Sequence, residues 1–312
     1  VAQFCASNLI IKNLKTCVEL LEKASRDGAK MVFFPETSDF IAKDSEETLS
    51  LALSINSSPF VNGIKDAAMK KNIWVSMGVH ELSHDPKRIY NTHLLIDSQG
   101  SIIETYRKLH LFDINIKDGP IHLESESTIR GEKICNPIPT PLGNLGLMIC
   151  YDLRFPELSL ELRKKGADIL AYSSAFTVKT GQAHWEVLLR ARAIENQCYV
   201  IASAQIGRHN EKRISYGHAM IVDPWGTVLA RCPETSEPSL AYAEIDLDRL
   251  KRIRAEMPVL NHRRTDIFGF TRIFLEKYYS RANVHKNWRQ CIHFPGALYI
   301  FPGAVYPNVV MN

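Results

Sequence analysis

The seven cysteines include no Cys-x-x-Cys pair, which removes the usual zinc-ribbon and dithiol-redox signatures. Cys5, Cys17, Cys135, Cys150, Cys198, Cys232 and Cys291 are odd in number and widely spaced, a poor fit to a disulfide framework. A reducing compartment is therefore expected, the cytoplasm first and the mitochondrion second. No apolar run approaches the length of a membrane span. No dense Lys/Arg stripe with interleaved aromatics is present, and a net charge of +4 over 312 residues is too small and too mixed in sign for a nucleic-acid footprint. No low-complexity tract, short repeat or linker interrupts the chain. It begins at Val1 rather than Met, and no signal peptide is visible.

What is present is globular material. At 45% hydrophobic and 23% charged, the chain can build a sizeable core. Short apolar strands alternate with amphipathic helices. Leu14, Cys17, Val18, Leu21 and Ala24 recur at helical spacing, and Gly28 ends that helix. Residues 31–34 read as a buried strand. Further strand candidates are 73–77, 93–96, 101–106, 145–149, 169–172, 198–204, 218–222, 227–230 and 240–245. Helices are expected at 157–165, 184–196 and 247–254. Asp223-Pro224-Trp225-Gly226 is a hairpin signal. The pattern predicts one α/β domain over residues 1–268. Residues 269–312 form an atypical tail, rich in aromatics, with Pro295 and Pro302 and no clean periodicity, and no function is assigned to it.

Three segments place a reactive group just after a strand: Phe33-Phe34-Pro35-Glu36, Tyr106-Arg107-Lys108-Leu109-His110 and Met148-Ile149-Cys150-Tyr151-Asp152. Sites in α/β sheets form beyond the carboxyl ends of strands, so residues distant in sequence converge there. A thiol on a sharp bend, with backbone N–H groups aimed at it, is favoured as thiolate and positioned as a nucleophile. A carboxylate after an apolar run needs a partner and suits proton transfer. An ammonium nearby stabilises an oxyanion. Taken singly, each residue has a plain structural role as a competitor: a buried thiol, an ion pair, a solvated lysine. No histidine stands in an obvious partner motif for a papain-like Cys–His site.

Phe-Pro-Glu, Tyr-Arg-Lys and Cys-Tyr-Asp-Leu-Arg-Phe-Pro-Glu, in this order, resemble the nitrilase superfamily of carbon–nitrogen hydrolases, and the resemblance runs nearly to Asp266. It implies a four-layer α-β-β-α sandwich and the roles of Glu36 as general base, Lys108 as oxyanion stabiliser and proton donor, and Cys150 as nucleophile. Glu124, in Leu123-Glu124-Ser125, falls where the family has a second glutamate and would anchor Lys108 and the water; Glu157 is its runner-up. Neither metal nor organic cofactor is expected, and a homodimer or homotetramer is implied.

Ser174-Ala175-Phe176, Thr180-Gly181, Ala183-His184-Trp185-Glu186 and Arg190-Ala191-Arg192-Ala193-Ile194-Glu195 look like the Nit branch. Gln205-Ile206-Gly207-Arg208-His209 and Ser215-Tyr216-Gly217-His218 resemble its deaminated glutathione amidases more than its ω-amidases. The branch also occurs fused to a histidine-triad hydrolase, whose His-x-His-x-His motif does not occur in this sequence. The implied substrate is a small amide with carboxylate ends, deaminated glutathione, split into 2-oxoglutarate and cysteinylglycine. Arg154 would hold a carboxylate in a bidentate fork, with Phe176 as a wall, Thr180 as a hydroxyl donor and the Tyr151 N–H as an oxyanion donor. Ion pairing of Arg154 with Asp152 or Glu157, core packing of Phe176 and a turn role for Thr180 compete. Arg208 and His209 are weaker candidates for the dipeptide end. Two alternatives stand: an ω-amidase acting on 2-oxoglutaramate or another small carboxamide, and an idle scaffold.

Overall fold

The computed structural model describes residues 1–115 and 121–267. Apolar segments pair into two main sheets. The smaller has the order Met31–Phe33, Trp74–Leu82, Ile89–Ile96, Ile102–Arg107, with the first pair parallel and the others antiparallel. The larger has nine strands. Its main path is Val228–Arg231, Met220–Val222, Tyr199–Arg208, Ile169–Ser174, Gly143–Ile149, Ile138–Thr140. Ala2–Phe4 pairs in parallel with Tyr199–Arg208 and carries Ser239–Leu240 antiparallel on its other side. Ile214–Tyr216 folds back on the far end of Tyr199–Arg208.

Gly143–Ile149, Ile169–Ser174 and Tyr199–Arg208 run parallel. Parallel neighbours need crossovers, and the helices Pro156–Lys164 and Val178–Asn196 supply them. Their buried Leu158, Leu162, Trp185 and Leu189 join Leu147, Leu170 and Tyr172 in one core. The helices Ile10–Arg26 and Pro59–Lys71 cover the other sheet: Cys17, Leu21, Phe60 and Ile64 pack with Val32, Phe34, Val75 and Met77. The result is a four-layer α-β-β-α sandwich. Residues 1–262 make up one compact unit, and a second begins at Arg263. The atypical tail over 269–312 lies outside the described residues.

Most expected elements form where the periodicity places them. Ser45–Leu51 and Pro59–Lys71 are helices that the pattern did not announce. Pro59 sits at the helix start, where its missing N–H costs nothing, and Ser58 caps by accepting from the Val61 amide. The strand expected at 240–245 shrinks to Ser239–Leu240, because its partner Ala2–Phe4 is only three residues long. The strand expected at 218–222 starts at Met220, because His218 is at φ +63°, in the left-handed region that no strand accommodates.

The sheets meet face to face through polar side chains as well as apolar ones. A Cβ on Gly78 would stand 2.6 Å from Glu36 Cα and 3.0 Å from Ser173 Oγ, so only glycine fits there. Ser203 Oγ donates to the Phe34 carbonyl across the gap at 2.7 Å. His93 is fully buried, with Nδ1 2.9 Å from the Met148 carbonyl and Nε2 2.6 Å from Ser76 Oγ. The carbonyl accepts only, so Nδ1 carries the proton and Nε2 accepts from Ser76. Burial lowers the His93 pKa from 6.5 to about 4, and the ring stays neutral. Between those values the unfolded chain binds a proton that the folded chain refuses, so stability falls as pH drops through this window. The full effect is about 3 kcal/mol. His209, whose pKa burial also lowers to about 4, acts in the same window. His93→Gln should be destabilised at pH 7, with the gap to wild type narrowing as pH approaches 4. Urea midpoints at pH 7, 5.5 and 4.5 measure this, and a gap constant with pH would mean the ring is not held neutral.

Candidate active site

Four strand ends converge. Glu36 follows Met31–Phe33, Lys108 follows Ile102–Arg107, and Cys150 follows Gly143–Ile149. Glu124 opens the short turn after Ile121–Leu123. Glu36 and Lys108 are 3% and 2% exposed, which forces each to find partners. Lys108 Nζ donates to Glu36 Oε1 at 2.9 Å and to Glu124 Oε2 and Oε1 at 2.9 and 3.1 Å. Asn91 Nδ2 donates to both glutamates, at 2.8 Å to Glu36 and 3.1 Å to Glu124. Two carboxylate acceptors on one amide end fix which end is nitrogen. The Phe112 amide donates to Glu124 Oε2 at 2.7 Å.

Cys150 is at φ +42°. A non-glycine residue there is strained, and such strain persists only where surrounding contacts enforce it. Asp152 does so. It is fully buried and its carboxylate accepts four bonds: from Tyr106 Oη at 2.7 Å and the Ile149 amide at 3.0 Å on one oxygen, and from the His110 amide at 3.1 Å and His110 Nδ1 at 2.7 Å on the other. His110 in turn stacks on Phe155, with ring centroids 3.7 Å apart. One carboxylate thus clamps the bend that carries the thiol to both flanks of Lys108.

The charges follow from this packing. Burial alone would raise the Glu36 pKa, but the Lys108 ammonium and the field of Arg213 hold it below the usual carboxylate range. Burial would lower that of Lys108, and Glu124 and Glu36 instead push it above its ordinary value. The Cys150 thiol is pushed well up, by burial first and then by the Glu36 charge, against the opposing pull of Lys108 and the Ala175 amide. The resting sulfur is therefore a neutral thiol beside an ionised Glu–Lys–Glu cluster. A backbone amide, that of Ala175, does favour the thiolate as expected, but burial and the Glu36 charge outweigh it.

A cavity of about 660 Å³ opens onto Cys150, Glu36, Lys108 and Glu124. Tyr151, Arg154, Phe176 and Thr180 also line it. Arg154 donates to His184 Nδ1 at 3.1 Å and lies 5.7 Å from the Tyr151 and Phe176 ring centres. No carboxylate reaches it among the described residues, so its ion pairing with Asp152 or Glu157 does not form; Glu157 is exposed in the first turn of Pro156–Lys164. Phe176 is both wall and core, packed 4.8 Å from Trp185. Thr180 Oγ1 is 2.8 Å from Thr177 Oγ1.

Residues 5–255 match the carbon-nitrogen hydrolase family. The chain belongs to that family. The protein named probable hydrolase nit2 from Schizosaccharomyces pombe is 51% identical over 270 residues, covering 86% of this chain and 97% of its own. The deaminated glutathione amidase of Bos taurus is 52% identical over 263 residues, covering 83% and 79%. The crystal structure of the Caenorhabditis elegans NitFhit protein superposes with a TM-score of 0.81 at 47% identity, over 86% of this chain and 65% of that one. These likenesses place the chain in the Nit branch of the nitrilase superfamily and make it a hydrolase of carbon–nitrogen bonds.

For this carbon-nitrogen hydrolase, the structure brings Glu36, Lys108, Glu124 and Cys150 together and sets Tyr151, Arg154, Phe176 and Thr180 around them. Arg208 and His209 go elsewhere. Arg208 is exposed and donates to the Glu211 carbonyl at 3.4 Å, and His209 turns inward to Ala6 and Ser215. The positioning roles of Asn91, Asp152 and His110 escaped the sequence reading. The signal for Asn91 was Asn91-Thr92-His93, polar residues within a strand buried along its whole length. For Asp152 it was a carboxylate two residues after the thiol, at the end of an apolar run. Replacing Asp152 by Asn turns an NH₂ toward two of the four donors, which frees the bend and the flanks of Lys108 but leaves the cavity walls in place. Asp152→Asn should lower kcat roughly 10- to 100-fold while KM moves little. Steady-state kinetics on protein shown folded by circular dichroism decides it; a change confined to KM would assign Asp152 to the substrate instead.

Proposed function

We propose that the protein is an amidase that hydrolyses deaminated glutathione to 2-oxoglutarate and cysteinylglycine through a thioester on Cys150. The observation that carries this reading is the Lys108 ammonium bonded to both Glu36 and Glu124 beside a strained cysteine, in a cavity where Arg154 meets no carboxylate among the described residues. The relatives bearing the amidase name, about half identical to this chain, support the substrate.

The order of events follows from the charges. The thiol gives its proton to Glu36 as sulfur attacks the amide carbon, so no free thiolate accumulates. The negative charge that Glu36 loses reappears on the carbonyl oxygen, where Lys108 and the Tyr151 N–H meet it. The carbon–nitrogen bond breaks, Glu36 passes the proton to the departing amine, and an acyl thioester remains. Glu36 then takes a proton from water, which attacks the thioester and releases the acid, and the proton returns to sulfur. Glu124 and Asn91 hold Lys108 and Glu36 in register throughout. Arg154 receives the acyl-side carboxylate. The scheme calls for no metal or organic cofactor.

An ω-amidase acting on 2-oxoglutaramate would share the acyl half and differ only in its leaving group, so the two amides must be assayed side by side. An idle scaffold has no use for an ionised Glu36–Lys108 pair buried beside a strained cysteine and kept there at a cost in desolvation. Release of 2-oxoglutarate from deaminated glutathione should be abolished in Cys150→Ala. Lys108→Ala should lose roughly 10²- to 10³-fold in kcat. Folded wild-type protein with a free thiol that releases none sinks the substrate, and near-normal turnover by Lys108→Ala removes the oxyanion role.

A further inference from the structure

We propose that Arg213 binds a carboxylate on the leaving-group half of the substrate, so that the cavity recognises an amide that is acidic at both ends. This deepens the amidase reading above and rests on it. Arg213 lies between Tyr199–Arg208 and Ile214–Tyr216, and it lines the same cavity as Cys150. Among the described residues its guanidinium meets no carboxylate within ion-pair distance. Its backbone is fixed: Asn210 Oδ1 accepts from the Lys212 and Arg213 amides, both at 3.0 Å, and the His209 amide donates to the Arg213 carbonyl at 3.0 Å. Asn210 Nδ2 donates to the Ala42 carbonyl at 3.1 Å, which ties this loop to the segment following Glu36. A half-buried guanidinium on a braced turn is preorganised for a planar anion, and its fork of donors matches a carboxylate.

The side of the cavity it serves follows from the reaction. Glu36 hands its proton to the departing nitrogen, so the leaving group lies on the Glu36 side of the reacting carbon. The field of Arg213 reaches Glu36. Arg154 instead stands on the turn after the nucleophile, near Tyr151 and Phe176, where the amidase reading seats the acyl group. The two guanidiniums therefore serve different halves of one molecule. A dipeptide leaving group ends in a carboxylate that Arg213 can grip. The ammonia released from a primary amide offers it nothing. Arg213 is on this account the residue that sets the preference for a peptide-like leaving group over ammonia.

The test compares wild type, Arg213→Gln and Arg213→Lys on deaminated glutathione, on its C-terminal carboxamide and on 2-oxoglutaramate. Arg213→Gln should raise KM for deaminated glutathione roughly 10- to 100-fold, the loss of one hydrogen-bonded charge pair. It should cost 2-oxoglutaramate far less than deaminated glutathione, since only the second has a leaving-group carboxylate to lose, and Arg213→Lys should recover part of the loss. The C-terminal carboxamide should be as poor for wild type as the acid is for Arg213→Gln, with no further loss when both changes are combined. A loss shared equally by deaminated glutathione and 2-oxoglutaramate would mean that Arg213 acts through Glu36, and no loss on either would mean that it does not touch the substrate; each overturns the proposal while the amidase reading stands. Wild type inert toward all three amides would instead bring down that reading, and Arg213 with it.

Discussion

An ammonium buried between two carboxylates governs this molecule. Lys108 is nearly inaccessible to water, and so is Glu36. Neither charge could remain there alone, since the cost of stripping water from an ion is recovered only by close, well-directed partners. Three bonds from Lys108 to Glu36 and Glu124, and two from Asn91 to the same glutamates, satisfy that demand. Each of these side chains issues from a different part of the chain. Their mutual need fixes how the smaller sheet and the loop at Glu124 sit around the end of Gly143–Ile149.

Burial, together with the Glu36 charge of the same cluster, explains why the nucleophile rests protonated. A cysteine protease of the Cys–His type prepares a thiolate by placing a cation next to it. Here the cation is already shared by two anions, so the thiol keeps its proton until an electrophilic carbon arrives. Charge is then moved rather than created: from Glu36 to the oxyanion, with Lys108 in contact with Glu36 from the start. Little reorganisation is required of the surroundings, which is the condition under which fixed charges lower a barrier most.

The four-layer order came with the resemblance to the nitrilase superfamily, while the main site was legible because the chemistry sits where strands stop, and strand ends leave a sharp trace in sequence: Phe34-Pro35-Glu36 and Ile149-Cys150 are apolar runs cut by a reactive group. Boundaries governed by pairing partners were not legible. The strand expected to 245 ends at Leu240 because a three-residue neighbour gives it nothing further to bond. Nor were residues whose role is to hold others. Asp152 reads as one polar letter beside a cysteine, and only the fold brings Tyr106 and His110 to it across 46 and 42 residues. In the 208–213 loop the sequence pointed to Arg208 and His209, while the backbone turns Arg213 to the cavity instead, a choice made by an Asn210 side chain that periodicity cannot register.

The place of Ala2–Phe4 in the larger sheet has a consequence for how the chain is made. This strand lies between Tyr199–Arg208 and Ser239–Leu240, with Gln3 beside Ala204 and Ala2 beside Leu240. Its partners leave the ribosome more than two hundred residues after it does. At typical synthesis rates the wait is on the order of ten to fifty seconds. During that time an apolar segment with unpaired backbone groups is a binding surface for chaperones or for another nascent chain. The nearby helix Ile10–Arg26 can settle on early partners such as Pro59–Lys71, but the larger sheet cannot close around Ala2–Phe4 until synthesis has passed residue 240.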